Sequence, residues 1–381
     1  MNRFFKTDRG APPEQVPANS ASGGDLVDWG FAATSAGRLV RPGPKASRIE
    51  IKDAVAQLRA CAAASVDPVA HTSLMTAPDD APAPLIVDRP GWISANSASM
   101  QAMMTPVLDE VISRRLRSTG TGADKNSGHA DPSELARRVG GVVSGAEVAG
   151  LLSWVSTKVL GQYDLAPQGT PRLLLVAPNI MATERELEVD PSDFRLWVCM
   201  HEETHRVQFT AVPWLREHII ERAQELSTSL IPHADDVSGR MGQLIAGLPG
   251  VLRGDIDITT LLASEEQRVQ LADLTAVMSL LEGHADVIMD EVGPAVIPSV
   301  AQIRAKFTQR RKGAGAVDVL LRRLLGLEAK MRQYRDGAVF VRTVMEQVGT
   351  AGFNQVWASP DALPRASEIA DPAAWVDRVH R

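Results

Sequence analysis

Asp190-Pro191-Ser192-Asp193-Phe194-Arg195-Leu196-Trp197-Val198-Cys199-Met200-His201-Glu202-Glu203-Thr204-His205-Arg206-Val207-Gln208-Phe209 reads as one amphipathic helix, and its spacing decides how the rest of the chain is read. Asp190 suits the N-cap, Pro191 the first helical position, and Asp193 the positive end of the helix dipole. Phe194, Trp197, Val198 and Phe209 supply a buried side, and Pro213 stops the segment, so a helix is expected over about 191–211. Inside it, His201-Glu202-Glu203-Thr204-His205 sets two imidazoles at i and i+4, one turn apart on one face, where both reach a single ion. Glu202 projects close enough to that point to act as a general base toward water. Two histidines, one further protein donor and an open position make a catalytic zinc site.

The third donor has to come from elsewhere. A metzincin pattern would place a histidine at 211, and the residue is Ala211. A gluzincin pattern places a glutamate on a later helix with an acidic residue one turn on. Leu281-Glu282-Gly283-His284-Ala285-Asp286 offers that, on a helix expected over about 264–292 and opened by Ser264-Glu265-Glu266-Gln267 as a capping box. Glu282 would bind the metal, and Asp286 would accept the outer N–H of a ligand histidine and fix its tautomer. Carboxylates amid Leu280, Leu281, Val287 and Ile288 are costly to bury without such a task, although a solvated stripe is the plainer alternative. His284 points about half a turn away from them, as a rival ligand, a donor to substrate or a satisfied core histidine. Tyr334, with Lys330 one turn before it, is the candidate oxyanion donor, against a core tyrosine with its hydroxyl at the surface. His218 lies beyond the Pro213 break and reads as structural or exposed; His71, His129, His233 and His380 lack partners at ligand spacing.

The bulk numbers set limits. In 381 residues, 44% are hydrophobic and 23% charged, ordinary for a globular chain. A net charge of -6 gives no reason to expect nucleic acid or an anionic membrane as partner. The basic runs Arg310-Arg311-Lys312 and Arg322-Arg323 read as solvated helix faces. Two cysteines, Cys61 and Cys199, fit a reducing compartment, and without a secretory signal or an apolar run of membrane length the expectation is a cytoplasmic protein.

Residues 1–24 read as a disordered tail and 25–381 as one domain. Met100 to Leu116 repeats apolar residues at helical spacing, and its methionines read as core filler. Leu135 to Leu160 reads as a helix or helix pair whose Gly141-Val142-Val143-Ser144-Gly145 packs closely against a neighbour. Leu85-Ile86-Val87 and Arg172 to Ala177 are the strand candidates, the second ended by Pro178-Asn179 and joined to the motif helix by a short connection. Further helices are expected at roughly 214–231, 298–311 and 316–348. The class is mainly α with a small β-sheet (α+β).

Asp190 to Phe209, together with Val27-Asp28-Trp29, Asp88-Arg89-Pro90-Gly91-Trp92-Ile93, Val159 to Leu165, the Glu282 segment and Lys330 to Gly337, resembles bacterial zincin-like hydrolases. That family carries the labels zinc-dependent metalloprotease and deazaflavin-cofactor-biosynthesis-associated protein. The resemblance implies a mostly helical, single-domain zincin-like metallopeptidase fold with Zn2+ and names no substrate. No phosphate-binding loop supports the cofactor label; Gly313-Ala314-Gly315 is a lone glycine pair. The expectation is a zinc-dependent hydrolase of gluzincin type acting on peptide or protein substrates. The alternatives are a non-catalytic binding module on that scaffold, or a structural zinc site that recruits His284 or Asp286.

Overall fold

A computed structural model describes residues 26–119, 132–229, 264–312 and 327–380. The expected tail at 1–24, His129, His233, the glycine pair at 313–315 and the basic pair Arg322-Arg323 lie outside the described residues. The chain runs α1 (Trp29–Leu39), α2 (Arg48–Ala64), α3 (Val66–Ser73), β1 (Leu85–Val87), α4 (Arg89–Thr119), α5 (Pro132–Val155), β2 (Gly161–Asp164), β3 (Arg172–Val176) and α6 (Ala177–Leu187). It continues through α7 (Pro191–Ala211), α8 (Leu215–Ser229), α9 (Glu265–Val292), α10 (Val300–Lys312), α11 (Leu327–Phe353), two 3-10 turns, α12 (Ala366–Ala370) and α13 (Pro372–Val379). The mainly helical class with a small sheet is what the sequence pattern led one to expect.

The sheet has the order β1-β3-β2. β3 pairs in parallel with β1, Leu85 opposite Leu174, and antiparallel with β2, Gly161 opposite Leu175 and Asp164 opposite Arg172. β3 is therefore the central strand, and its apolar run is buried on both faces, as a covered sheet requires. Leu175 enters the larger core cluster with Phe194, Val198 and Leu280. Leu174 and Val176 enter a second cluster with Ala36, Trp92, Ile93 and Leu152.

Three sequence expectations change here. The connection from β3 to the motif helix is not a short loop. Pro178 sits in the first turn of α6, where a missing N–H costs nothing, and so starts a helix instead of only ending the strand. Gly161-Gln162-Tyr163-Asp164, not read as a strand, forms the sheet's edge; four residues with a single aliphatic-free, mixed-polarity pattern carry little periodic signal. The methionine stripe of α4 is only partly core, because Met100 and Met103 face an open hollow.

Local chemistry explains the helices that matter. Asp190 caps α7, its side chain accepting from the backbone N–H groups of Ser192 and Asp193. Ser264 and Gln267 form the reciprocal capping box of α9. α7 contacts β2 and β3, α2 and α9. α9 and α11 cross through two glycines: a β-carbon on Gly283 would lie 2.5 Å from the nitrogen of Ala338, and one on Gly337 would collide with the carbonyl oxygen of Ser279. Gly145 of α5 likewise meets the backbone of Asp28. No described helix is long and apolar enough to cross a membrane.

Candidate metal centre and its cleft

Helical geometry carries His201 and His205 to one face of α7, and α9 brings Glu282 opposite them. Nε2 of His205 lies 3.2 Å from Nε2 of His201. Glu282 reaches His201 Nε2 with one carboxylate oxygen at 3.7 Å and His205 Nε2 with the other at 3.8 Å. One ligand atom from each of the three falls within 4.8 Å of the others, and all three side chains are partly open to the cleft. Zinc ligands held at about 2.0–2.1 Å in a tetrahedron stand about 3.3 Å apart. The observed separations bracket that edge, so the three residues fit a zinc ion with little movement.

The outer nitrogen of His205 has a partner that sets its tautomer. Nε2 of Gln208 donates to the carbonyl of Leu281 at 3.0 Å, which turns Oε1 toward Nδ1 of His205 at 2.9 Å. An amide oxygen only accepts, so Nδ1 carries the proton and Nε2 presents its lone pair to the ion site. At His205 the task expected of Asp286 thus falls to Gln208, a residue on the motif helix itself. Nδ1 of His201 faces the sulfur of Met289 at 3.2 Å. Asp286 is partly buried, and its backbone carbonyl accepts from Arg304.

His284 is fully buried. Its Nδ1 meets Gln208 Nε2 at 3.0 Å, and its ring stacks on Phe353 with centroids 5.3 Å apart. Burial, reinforced by His205, pushes its pKa down to about 3. This is a neutral core histidine two residues on from Glu282, supporting the amide that orients His205.

Glu202 lies beneath the edge strand. Its side chain is buried, and Oε2 has no hydrogen-bond partner. Burial, and next the Glu282 charge, push its carboxyl well above the usual carboxylate range. Gly161 makes room for it: a β-carbon there would lie 2.6 Å from Glu202 Oε1. Glu203, its neighbour, is instead a structural acid, held by Arg206 through two hydrogen bonds of 2.7 Å.

The metal-facing side chains open on a hollow of about 470 Å³ between α4, the β2 edge, α7 and α9. One wall is apolar, from Met100, Met103, Phe209, Ile219, Met278 and Leu281. Another is a set of fixed polar groups. Trp92 Nε1 donates to Gln162 Oε1 at 2.8 Å, Gln162 Nε2 to Asn96 Oδ1 at 2.9 Å, and Ser99 to Asp164 at 2.6 Å.

Tyr163 lines the hollow from β2, stacked on Phe209 with centroids 5.1 Å apart, and burial raises its hydroxyl pKa. Tyr334 lies on α11, and its side chain falls outside the described residues, as does that of Lys330. His218, half-buried with its ring edge against Trp214, lines a separate hollow. Sequence reasoning missed Gln208 and Tyr163. Gln208 was legible as i+3 from His205, on the motif helix; Tyr163 belongs to a strand with no periodic signature.

Comparison with known proteins places the chain in a family. A family model described as zincin-like metallopeptidase matches residues 27–376. No protein of curated function matches the chain. A crystal structure from Chloroflexus aurantiacus, described as that of a candidate hydrolase with a novel fold, is similar at a TM-score of 0.63 and 28% identity. The match covers 93% of this chain and 99% of that one.

Proposed function

The chain belongs to the zincin-like metallopeptidase family, and from that premise we propose that it is a zinc-dependent peptidase of gluzincin type. The observation that carries this reading is the convergence of His201, His205 and Glu282 within 4.8 Å at a cleft, beside a buried carboxyl with an unpartnered oxygen. Bound there, zinc would supply a Lewis acid and bring the pKa of water down to about 7.

The chain's own groups do the rest. Gln208 holds His205 with its lone pair turned to the site. Glu202, enclosed by Gly161 and raised in pKa by burial, takes a proton from water, holds it on a carboxylate oxygen and passes it to the departing amine. β2 has a neighbour on one side only among the described strands, and its residues line the cleft, which supports an extended peptide laid along its edge. The apolar wall of Met100, Met103, Phe209 and Leu281 favours a bulky uncharged side chain next to the bond that is cut.

The test is Glu202→Gln. The variant should hold zinc at the wild-type stoichiometry by metal analysis and lose turnover of a peptide library by at least about 100-fold, the lower range for a general base. Turnover that persists in the variant would rule out the assignment of Glu202, and a wild-type protein that takes up no zinc would rule out the site itself.

A further inference from the structure

Next to the metal-facing cleft lies a second hollow, also of about 470 Å³, and Ser99, Ala166 and Pro167 line both. Its walls are α4 and the β2–β3 connection, with Gln101, Thr105, Gln168, Thr170 and Arg172 as the polar lining. Arg172 is the one lysine or arginine among the described residues that line the two hollows. It is also held in place. Asp164, opposite Arg172 across the strands and 1% exposed, accepts from Ser99 Oγ at 2.6 Å, from the backbone N–H of Ala166 at 3.1 Å and from Arg172 Nε at 3.2 Å. These bonds satisfy the buried carboxylate and employ only the Nε–H of the guanidinium. The terminal nitrogens of Arg172 have no partner among the described residues, and the side chain is 35% exposed.

We propose that this second hollow is a substrate subsite for a carboxylate side chain, with Arg172 as its specificity-determining residue. A planar guanidinium with its terminal N–H groups unused matches a carboxylate in two hydrogen bonds, which an ammonium cannot do. Its place on the sheet sets the register. Gly161 lies against Glu202 at one end of β2, and Asp164 with Arg172 marks the other, three residues on. At about 3.3 Å per residue that is about 10 Å of extended chain. A peptide paired along β2 therefore presents to Arg172 a residue about three places from the bond that is cut. The subsite rests on the peptidase reading.

The experiment separates the two. Fluorescein-labelled octapeptides with a central Phe and one Glu moved through the other positions are titrated into the zinc-loaded Glu202→Gln protein by anisotropy, beside the same set with Gln. The expected result is that Glu at one position binds about 10-fold more tightly than Gln, the order of one charge-assisted hydrogen bond. In the Arg172→Met, Glu202→Gln protein that ratio falls to about one while affinity for the Gln peptides holds. Arg172→Lys, which keeps a cation against Asp164, should retain part of the preference and serves if Arg172→Met fails to fold. No Glu preference at any position, a preference untouched in both Arg172 variants, or no binding of any peptide overturns the subsite. Cleavage by the wild-type protein is scored apart. Peptides bound with the Glu preference but never cut would sink the peptidase reading and leave only a peptide-binding groove selected by Arg172; cutting without the preference would overturn the subsite and leave the peptidase reading.

Discussion

The backbone of Gly161 lies directly against the side chain of Glu202: a β-carbon on the glycine would be 2.5 Å from Cγ and 2.6 Å from Oε1 of the glutamate. The edge strand and the motif helix thus meet at the carboxylate, and the absence of one side chain lets the other fill the space. Replacing Gly161 by Ala should push the carboxylate aside without touching His201, His205 or Glu282. Zinc stoichiometry should stay at the wild-type level while kcat/KM falls about 100-fold, the cost of misplacing a reacting group by about 1 Å. Metal analysis beside peptide turnover reads both, and a fully active Gly161→Ala protein would contradict the placement of Glu202.

Gln208 orients His205 from the same helix. Gln208→Ala removes the acceptor for Nδ1–H and leaves the ring able to turn or to adopt the other tautomer. Zinc affinity should drop by about 10–100-fold, as for other outer-shell partners of ligand histidines. Competition with a chromophoric chelator measures it. Unchanged affinity would mean that Gln208 serves only His284 and the core.

Glu282 depends on how closely two helices approach. Gly283 follows it in sequence, and a β-carbon there would run into the backbone of Gly337 and Ala338 on α11. Gly283→Ala should therefore separate α9 from α11, costing about 1–3 kcal/mol as an overpacked contact, and should weaken zinc binding at the same time. Urea unfolding of the metal-free protein isolates the first effect. If stability and zinc affinity both stay at wild-type values, the close crossing does not position the third ligand.

Asp190 ties the motif helix to its start. Hydrogen bonds from the Ser192 hydroxyl and then the Asp193 backbone N–H hold its carboxyl below the usual aspartate range. Asp190→Ala should cost about 1 kcal/mol at neutral pH, as an N-cap loss. A carboxylate whose pKa is depressed by folding stabilises above its unfolded value, about 3.9, and loses that contribution as pH falls toward the folded one. The stability gap between wild type and variant should accordingly be full at pH 6 and shrink below about pH 4. A gap that stays constant across that range would remove the charge from the account.

The residues themselves fixed one helix, its cap at Asp190, the pair His201 and His205, and the carboxyl of Glu202 between them, because each follows from positions within a few residues of one another along a 3.6-residue repeat. The capping box at Ser264 and Gln267 was equally local, and Glu282 could be named as a donor from its apolar setting. What brings Glu282 within 3.8 Å of the histidines is the crossing of α9 over α7, braced by glycine-to-glycine contact with α11. No sequence spacing encodes that approach. Packing also gave the edge of the cleft to Gly161–Asp164, made β3 the centre of the sheet, and assigned His205 to Gln208 through an amide whose orientation is set by the Leu281 carbonyl. Helix periodicity is written in neighbouring residues, whereas a site shared by segments some 80 residues apart exists only once the chain has closed around it.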